Sequence, residues 1–347
     1  MKILHILASA DASLPAENII LGLKAQGFDQ CVALPRQTKA FRELEKAGLC
    51  LFPQIFRAPS FAQKFLMRFL IKRERPDIVH CWTSRSANLA GKAGGQAATP
   101  VITGWLSAAS DPEKFKNCAH LIGATPSVAN IRFIPNPPDI VTQPPLDRAT
   151  LATPREAKVL LAFSRQHPRQ GLDTLLASLQ KMPQVIVWLE TPNIFRREIE
   201  SLAQNLGILD RVRFLTPRPD HAALLRAADI CVLPARAEKT TFIIIEAFAA
   251  GTPVVACANS DAAALIENDA TGLLSPASDA PALVATLTRL LQDDILRRRL
   301  IAQGYAAYIK DHTREAVLRK WTEFFKSVKS SAPNRNGCPL SSNGERA

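Results

Sequence analysis

The stretch LPARAEKTTFIIIEAFAAGTPVVA, residues 233–256, decides the fold of this chain. It predicts the end of a strand, a polar loop, a short helix and a second strand. Residues 242–250 are apolar on every face of a helix except at Glu246, and a helix that is apolar all round lies inside a protein. Gly251 follows the helix, and Thr252-Pro253 prevents its continuation. The stretch therefore predicts a core helix that carries one carboxylate.

The carboxylate of Glu246 needs a partner, because burying an unpaired charge costs on the order of several kcal/mol. A cation, a set of hydrogen-bond donors or a pair of ligand hydroxyls would serve. Glu238 lies upstream, and Thr240 or Thr241 between them is suited to cap the helix. The N–H groups and the dipole of that first turn favour a phosphate. Two carboxylates around a backbone anion site describe a pocket for a sugar nucleotide.

The same stretch also resembles a known signature. It contains Glu238, seven intervening residues, Glu246 and then AFAAGTPVVA, and this pattern resembles E-x-F-G-x-x-x-x-E-A-x-A-x-G-x-P-V-V-A. This is the signature of family 4 retaining glycosyltransferases (glycosyl transferases group 1) of the GT-B fold. The resemblance implies that Glu246 holds the ribose hydroxyls of the donor and that Glu238 is the catalytic carboxylate at the transferred sugar. Thr240 and Thr241 would then belong to the donor-binding segment. The structural alternative is a helix whose Glu246 pairs with a core arginine.

A second segment, SRQHPRQGLD at residues 164–173, follows a predicted strand and opens a predicted helix. It is similar to the family's G-R-x-x-x-x-K-G-x-D, in which the arginine and the lysine bind the diphosphate of the donor. Arg165 matches, and a guanidinium binds phosphate oxygens through two hydrogen bonds while staying charged. The lysine position holds Gln170, a neutral donor, and the neighbouring Arg169 is the candidate second cation. The resemblance therefore assigns all three residues to donor binding.

Several loops depart from the family pattern by losing glycines. The usual G-D-G is Glu190-Thr191-Pro192, the F-G after the first glutamate is Thr240-Thr241, and the G-G-x-x-E loop is residues 261–267 with Glu267 retained. Each replacement places a Cβ where a backbone would approach a ligand. These losses favour an unusual donor or a weakened enzyme.

The first half of the chain shows the alternation of apolar runs and helical patterns that is typical of parallel sheets. RPDIVHCW, residues 75–82, is similar to the family's K-P-D-I-V-H-x-H and places His80 at the end of a strand, where open α/β sheets bind ligands. The family's T-x-H-G is Thr103-Gly104-Trp105-Leu106 here. His80 and Trp105 are the candidate sugar or acceptor contacts, and a buried structural histidine is the alternative for His80.

Residues 56–73, FRAPSFAQKFLMRFLIKR, carry two adjacent stripes in helical spacing. One consists of phenylalanines and the other of basic residues, each repeating every four positions: Phe61, Phe65 and Phe69, and Lys64, Arg68 and Lys72. This composition is typical of an interfacial helix attracted to anionic lipid. The alternative is an ordinary crossover helix whose phenylalanines face the core.

Composition limits the remaining choices. The chain has 347 residues, enough for two domains, and a net charge of +12 that favours anionic partners. Its 7 cysteines are scattered without a C-x-x-C pair, which favours reduced thiols in the cytoplasm. No segment approaches the roughly eighteen uninterrupted apolar residues that span a bilayer. We therefore expect a soluble or peripheral protein.

These features predict an α/β protein of the GT-B fold, with two Rossmann-like domains whose parallel sheets face each other across a cleft. The predicted parts are an N-terminal acceptor domain, a linker, a nucleotide-sugar donor domain, a C-terminal helix that crosses back to the first domain and a disordered tail: residues 1–139, 140–155, 156–307, 308–329 and 330–347.

The predicted function is that of a retaining glycosyltransferase of the hexosyltransferase class. It would move a sugar from a nucleotide sugar to a cell-envelope glycan or glycolipid, of the lipopolysaccharide or exopolysaccharide type, in the cytoplasm or at the inner face of the cytoplasmic membrane. No D-x-D triad is present, so we expect no metal ion. We expect no cofactor either, because the nucleotide sugar is a substrate. A sugar-nucleotide epimerase and a non-catalytic binding protein of the same fold are alternatives. Nucleic-acid binding is not expected, because no RNA- or DNA-binding motif is present.

Overall fold

The computed structural model describes residues 1–8, 13–57, 59–93, 101–106, 112–124, 126, 131–138, 144–163, 171–218, 220–236 and 241–331. The chain divides into two compact units. The first contains Met1–Ala124, Asn130–Ile134 and Leu318–Ala347, and the second contains Thr125–Ala129 and Pro135–Val317. Each unit is built around one parallel sheet.

The first unit has a seven-stranded sheet in the order β3-β2-β1-β4-β5-β6-β7. Its strands are β1 (Lys2–Ile6), β2 (Asp29–Ala33), β3 (Cys50–Leu51), β4 (Ile78–Cys81), β5 (Val101–Leu106), β6 (His120–Gly123) and β7 (Arg132–Phe133). Its helices include α1 (Ser13–Ala25), α2 (Lys39–Lys46), α3 (Ser60–Glu74) and α4 (Ser84–Ala93). All strand pairs are parallel.

The second unit has a six-stranded parallel sheet in the order β10-β9-β8-β11-β12-β13. Its strands are β8 (Lys158–Phe163), β9 (Val185–Glu190), β10 (Val212–Leu215), β11 (Ile230–Leu233), β12 (Val254–Cys257) and β13 (Leu273–Ser275). Its helices are α5 (Leu172–Leu179), α6 (Asn193–Asn205), α7 (His221–Ala227), α8 (Thr241–Ala250), α9 (Ser260–Leu265), α10 (Ala280–Gln292), α11 (Asp294–Asp311) and the start of α12 (Arg314–Ser331). The predicted α/β class with two parallel sheets is confirmed.

The strand order of the second unit reverses between β8 and β11, which lie side by side. Open α/β sheets bind their ligands beyond the carboxyl ends of the strands at this kind of switch point. The segment after β8 is 164–170, and the segment after β11 runs from Pro234 toward α8. The fold therefore places both predicted donor-binding segments after the two switch strands.

The core helix predicted from the opening stretch is confirmed as α8. Its side chains are buried on almost every face: Thr241, Ile243, Ile244, Ile245, Ala247, Phe248 and Ala249. Gly251 follows it with a φ of 72°, the left-handed conformation that ends many helices. The hydroxyl of Thr252 donates to the carbonyl oxygen of Leu225 over 2.7 Å, which fixes the turn into β12.

One helix predicted from the sequence is divided in the structure. Residues 286–300 are rich in Leu and Arg, which predicts a single helix, but α10 ends before Asp293 and α11 begins after it. Asp293 has φ −99° and ψ 93°, and its carboxylate accepts a hydrogen bond from the N–H of Leu296. Helical spacing does not reveal such a break, because Asp293 leaves the helix while capping the next one.

The segment expected as a linker is attached to the second unit where the structure describes it. The Leu146 N–H donates to the Ala223 carbonyl over 3.0 Å. The Arg148 guanidinium donates to the carbonyl of Ala227 over 2.9 Å and to the carboxylate of Asp229 over 3.1 Å. The chain rejoins the first unit at Leu318, within α12. The expected domain boundaries remain predictions, and the tail from 332 lies outside the described residues.

Candidate donor site in the second unit

The carboxylate of Glu246 lies against a histidine. Glu246 is in the middle of α8 with 12% of its side chain exposed, and its Oε2 atom lies 3.3 Å from Nδ1 of His221, a hydrogen bond. His221 is the first residue of α7, which packs against α8. The partner found for this carboxylate within the described ranges is therefore His221 rather than the core arginine of the structural alternative.

A second carboxylate lies on the other side of the same imidazole. The Nε2 atom of His221 is 3.2 Å from Oε2 of Glu190, which is the last residue of β9 and only 3% exposed. The imidazole also packs edge-on against Phe163, with 5.2 Å between the ring centroids. Phe163 ends β8 and is the register partner of Glu190. The cluster therefore lies at the carboxyl edge of the sheet, beside the switch point.

The two carboxylates determine the charge of the imidazole. The contact with Glu190, followed by the contact with Glu246, raises the pKa of His221 to about 9, although burial lowers it. His221 is therefore an imidazolium at neutral pH. Nearby, the Arg218 guanidinium donates to the Asp220 carboxylate over 2.6 Å and lowers the pKa of that carboxyl group. The edge of the sheet thus holds two charge clusters next to each other.

The segments that follow the two switch strands contact each other directly. Gly171, just before α5, has a φ of 130°, and a Cβ at that position would lie 2.0 Å from the carbonyl oxygen of Pro234. One nitrogen of Arg236 lies 2.9 and 2.8 Å from the two carboxylate oxygens of Asp173. Gly171 and Asp173 match the G-x-D of the phosphate-binding motif. The structure shows that these two residues join the segment after β11 to the start of α5.

Most of the predicted site residues lie outside the described residues. Among the others, Thr241 has a buried hydroxyl group. The residues outside are Arg165, Arg169, Gln170, Glu238 and Thr240. Thr241 begins α8 and is 4% exposed, and its Oγ1 atom has no hydrogen-bond partner in the described part of the chain. The structure brings together Glu246, the start of α8 and the carboxyl edge of the sheet. The assignments to donor binding remain predictions.

The two candidate contacts of the first unit are buried among aromatic rings. His80 has no exposed surface, and its Nδ1 atom is 2.7 Å from Oγ1 of Thr103. The rings of Trp82 and Trp321 lie edge-on to it, at 4.7 and 5.2 Å between centroids. Trp105 is 5% exposed and packs against Trp82 at 5.7 Å. Nε2 of His80 and Nε1 of Trp105 are buried without a hydrogen-bond partner in the described part of the chain. The assignment of these two residues to a sugar or acceptor contact remains a prediction.

Sequence reasoning did not identify His221 and Glu190 as site residues. Glu190 was noted only as the replacement of a family glycine. The available signal was its position, because a glutamate that directly ends the apolar run VIVWL is expected to be buried and to need a partner. No comparable signal pointed to His221, since its two partners lie 31 residues before it and 25 residues after it.

In the part of the chain that the structure describes, no group of three or more His, Cys, Asp or Glu side chains is arranged to hold a metal ion. No helix there combines the length and the apolar character needed to cross a bilayer.

Comparisons with known proteins agree with this architecture. Residues 145–307 match the family model "Glycosyl transferases group 1". The lipopolysaccharide core biosynthesis glycosyltransferase LpsE of Rhizobium meliloti is 25% identical over 342 residues, which cover 94% of this chain and 99% of the relative.

Solved structures give the fold. A glycosyltransferase from Rickettsia africae superposes with a TM-score of 0.75 at 17% identity, covering 95% of this chain and 99% of that one. Anabaena HepE in complex with UDP and glucose superposes with a TM-score of 0.71 at 21% identity, covering 94% of this chain and 100% of that one.

Proposed function

Because the chain is a glycosyltransferase of group 1 with the GT-B fold, we propose that it transfers a sugar from a nucleotide sugar to a cell-envelope glycan or glycolipid. The observation that carries this proposal is the Glu246 carboxylate, held on a core helix beside the switch point of the sheet. A carboxylate in that position can accept hydrogen bonds from a pair of ribose hydroxyls.

The donor is a nucleoside diphosphate sugar, and a uridine nucleotide is the first candidate, since HepE was solved with UDP and glucose. In this proposal Glu246 holds the ribose, and Arg165 with Arg169 holds the diphosphate. Glu238 contacts the transferred sugar. The N–H groups at the start of α8 lie on the same segment as Glu238 and add donors for an anion.

The reaction proceeds with retention of the anomeric configuration and without a metal ion. The leaving diphosphate develops negative charge, which the protein meets with fixed cations and N–H groups. Arg165 supplies a cation that stays charged at all working pH values. Gln170, in place of the family lysine, leaves Arg169 as the second source of positive charge.

The acceptor is a lipopolysaccharide core or a related envelope glycan. LpsE, which matches along nearly its whole length, carries a name that places it in lipopolysaccharide core biosynthesis. Such acceptors are anionic, and a net charge of +12 attracts them.

The test is transfer of radiolabelled sugar from a panel of nucleotide sugars to glycolipid extracted from bacterial membranes. We expect one donor to be used in the presence of EDTA, and we expect Glu246→Gln to reduce transfer at least tenfold. Glu200→Gln is the matched control, because Glu200 is a partly exposed carboxylate on α6 that pairs with Arg196. Conversion of the sugar nucleotide without acceptor would instead show an epimerase, and strict dependence on Mg²⁺ or Mn²⁺ would contradict the metal-free mechanism.

We further propose that the enzyme works on the surface of an anionic membrane through α3. Phe61, Phe65 and Phe69 are 83%, 75% and 58% exposed. These phenylalanines therefore do not face the core, as they would in the alternative of an ordinary crossover helix. Met67 and Leu70 of the same helix are buried instead, which fixes the orientation of the helix.

The basic stripe lies on the exposed side of the same helix. Lys64, Arg68 and Lys72 are all exposed and follow the phenylalanines at a distance of three positions. Aromatic rings that enter the headgroup region, with cations beside them, match an anionic bilayer in both shape and charge. The surface formed by these two stripes is the proposed membrane contact.

Sedimentation with vesicles tests this contact. We expect binding to vesicles that contain phosphatidylglycerol and little binding to pure phosphatidylcholine. Replacing all three phenylalanines by Ser should abolish binding, and Lys64→Gln with Lys72→Gln should weaken it by roughly tenfold or more, at about 1 kcal/mol per charge. Ile194→Ser with Ile295→Ser is the control, because both isoleucines are 81% exposed but lie in the second unit. Equal binding by the phenylalanine variant and this control would contradict the proposal.

A further inference from the structure

We propose that His221 is a positioning residue of the donor site: in its protonated form it pairs with the Glu246 carboxylate and orients it, and Glu190 is the counter-charge on the other side of the ring. The inference rests on the proposed function, because it takes Glu246 as the contact of the donor ribose. Neither His221 nor Glu190 needs to touch the donor.

The geometry favours an imidazolium. Nδ1 of His221 forms a hydrogen bond with Oε2 of Glu246 over 3.3 Å. Nε2 lies 3.2 Å from Oε2 of Glu190, within ion-pair distance of a buried oxygen that has no hydrogen-bond partner in the described part of the chain. A neutral imidazole has one N–H and one lone pair, so one of the two carboxylates would then face a lone pair. The protonated ring directs an N–H group toward each of the two carboxylates.

Both carboxylates are shielded from water, which makes their pairing important. Glu190 is 3% and Glu246 12% exposed, and His221 itself is 13% exposed. Two such carboxylates without a cation between them would repel each other at low local dielectric. The imidazolium lies between them and offsets this repulsion.

Two further charged groups in the described part of the chain interact with this cluster, because Arg218 attracts Glu190 and Asp220 attracts His221. Arg218 and Asp220, in the turn before α7, are paired with each other. Cys231 of β11 is buried beside Glu246, and burial raises the pKa of its thiol far above neutral pH, so it carries no charge. Phe163 of β8 also contacts the His221 ring, and its side chain is apolar. In the described part of the chain, Glu190 from β9 and Glu246 from α8 contact the ring nitrogens.

Only one oxygen of Glu246 is used by His221. The contact involves Oε2, so Oε1 is not occupied by this ring. A carboxylate that is fixed by one oxygen presents the other in a defined direction, and such preorganisation lowers the cost of binding a ligand. His221 thus affects donor affinity through orientation and charge, without a contact of its own.

The chemistry of Glu190 gives a specific expectation for pH dependence. The imidazolium of the native protein persists to a pH of about 9 because of Glu190 first and Glu246 second. Glu190→Gln removes the first of these causes, so the histidine should lose its proton at a lower pH. Donor affinity should fall over the same pH range. At pH 7 and below, where the ring stays protonated, this variant should bind the donor within about threefold of the native protein.

The experiment follows two quantities in the full-length protein between pH 7 and 10. The first is the protonation of His221, read from its ring resonances by NMR, with His221→Gln for assignment. The second is UDP affinity by calorimetry. Native protein, Glu190→Gln, His221→Gln and the control Glu200→Gln are compared at equal pH, so that titration of the ligand itself cancels.

We expect the two midpoints to coincide near pH 9 in the native protein and in Glu200→Gln. In Glu190→Gln both should move together by at least one pH unit toward neutral, and His221→Gln should bind at least tenfold more weakly at pH 7. A shift of the NMR midpoint without a shift of the affinity midpoint would show that His221 is purely structural and would overturn the inference. If the native protein binds no nucleotide at any pH while His221 titrates as expected, the proposed function fails instead, and the assignment of His221 to donor binding fails with it.

Discussion

One guanidinium nitrogen of Arg236 lies 2.9 Å from Oδ1 and 2.8 Å from Oδ2 of Asp173. This ion pair joins the segment after β11 to the first turn of α5, on the two sides of the switch point. It also explains a motif residue, because the aspartate of G-x-D serves here to fix the neighbouring segment. Arg236, which lies two residues before Glu238 in the chain, is therefore anchored to α5.

This pair should stabilise the protein only modestly. The side chains of Arg236 and Asp173 are 33% and 38% exposed, so water screens their attraction. A double-mutant cycle with Arg236→Gln and Asp173→Asn should give a coupling free energy of about 0.5–1 kcal/mol, measured by urea unfolding. A coupling of several kcal/mol would contradict this description of a surface-screened pair.

Gly171→Ala should be among the most damaging single substitutions in the second unit. The φ of 130° is strained for an L-residue, and the added Cβ would meet the Pro234 carbonyl at 2.0 Å, so a backbone must move. We expect a loss of more than about 3 kcal/mol or failure to fold, read from the thermal unfolding midpoint and the soluble yield.

Gly207→Ala is the matched control for that substitution. Gly207 also has a positive φ, 67°, but a Cβ there would have no neighbour within 4 Å. The expected loss is about 1 kcal/mol, from the backbone conformation alone. Equal losses at the two positions would show that the contact with Pro234 does not matter.

The sequence was sufficient to predict the elements whose pattern is local. The core helix α8, its end at Gly251 and both parallel sheets follow from periodicity, glycine position and apolar runs. These features depend on residues close together in the chain. Helix α3 was only half predicted, because spacing shows that its phenylalanines form a stripe but not which way the stripe faces.

The charged cluster could not be predicted in the same way. His221 takes its partners from β9 and α8, and only the sheet order brings these two elements to the same ring. The break between α10 and α11 also depends on the non-helical backbone conformation of Asp293, which cannot be deduced from helical spacing. Sequence patterns thus located Glu246. The partner named in the structural alternative was a core arginine, whereas the partner in the described part of the chain is His221.

Alkaline pH should weaken the second unit through His221. Its pKa is raised to about 9 in the folded state, above the ordinary value of about 6.5. The native protein therefore retains a proton that the unfolded chain releases, and stability falls between pH 6.5 and 9. The contribution, fully present below pH 6.5, is on the order of 3 kcal/mol. Calorimetric unfolding midpoints should decline less steeply over this range in His221→Gln, and an unchanged slope would contradict the prediction.

Acidic pH should weaken the first unit through its buried histidines. Burial lowers the pKa of His5 to about 4, and burial followed by the nearby His5 lowers that of His80 well below its ordinary value. The unfolded chain then binds protons that the native state excludes, so stability is full above pH 6.5 and falls toward pH 4. His5→Gln should lower the midpoint at pH 7 but reduce its dependence on acid. Parallel curves for the variant and the native protein would count against this explanation.

Nucleotide binding by the second unit is the central claim, and thermal stabilisation by a panel of nucleoside diphosphates and nucleotide sugars tests it most directly. A ligand at 100 times its dissociation constant should stabilise the protein by about 2.7 kcal/mol, a shift of a few degrees. We expect one nucleotide class to produce this shift in the native protein and in Glu200→Gln, and to lose it in Glu246→Gln and Arg165→Ala. A shift that persists in both of these variants, or no shift with any nucleotide, would contradict the account.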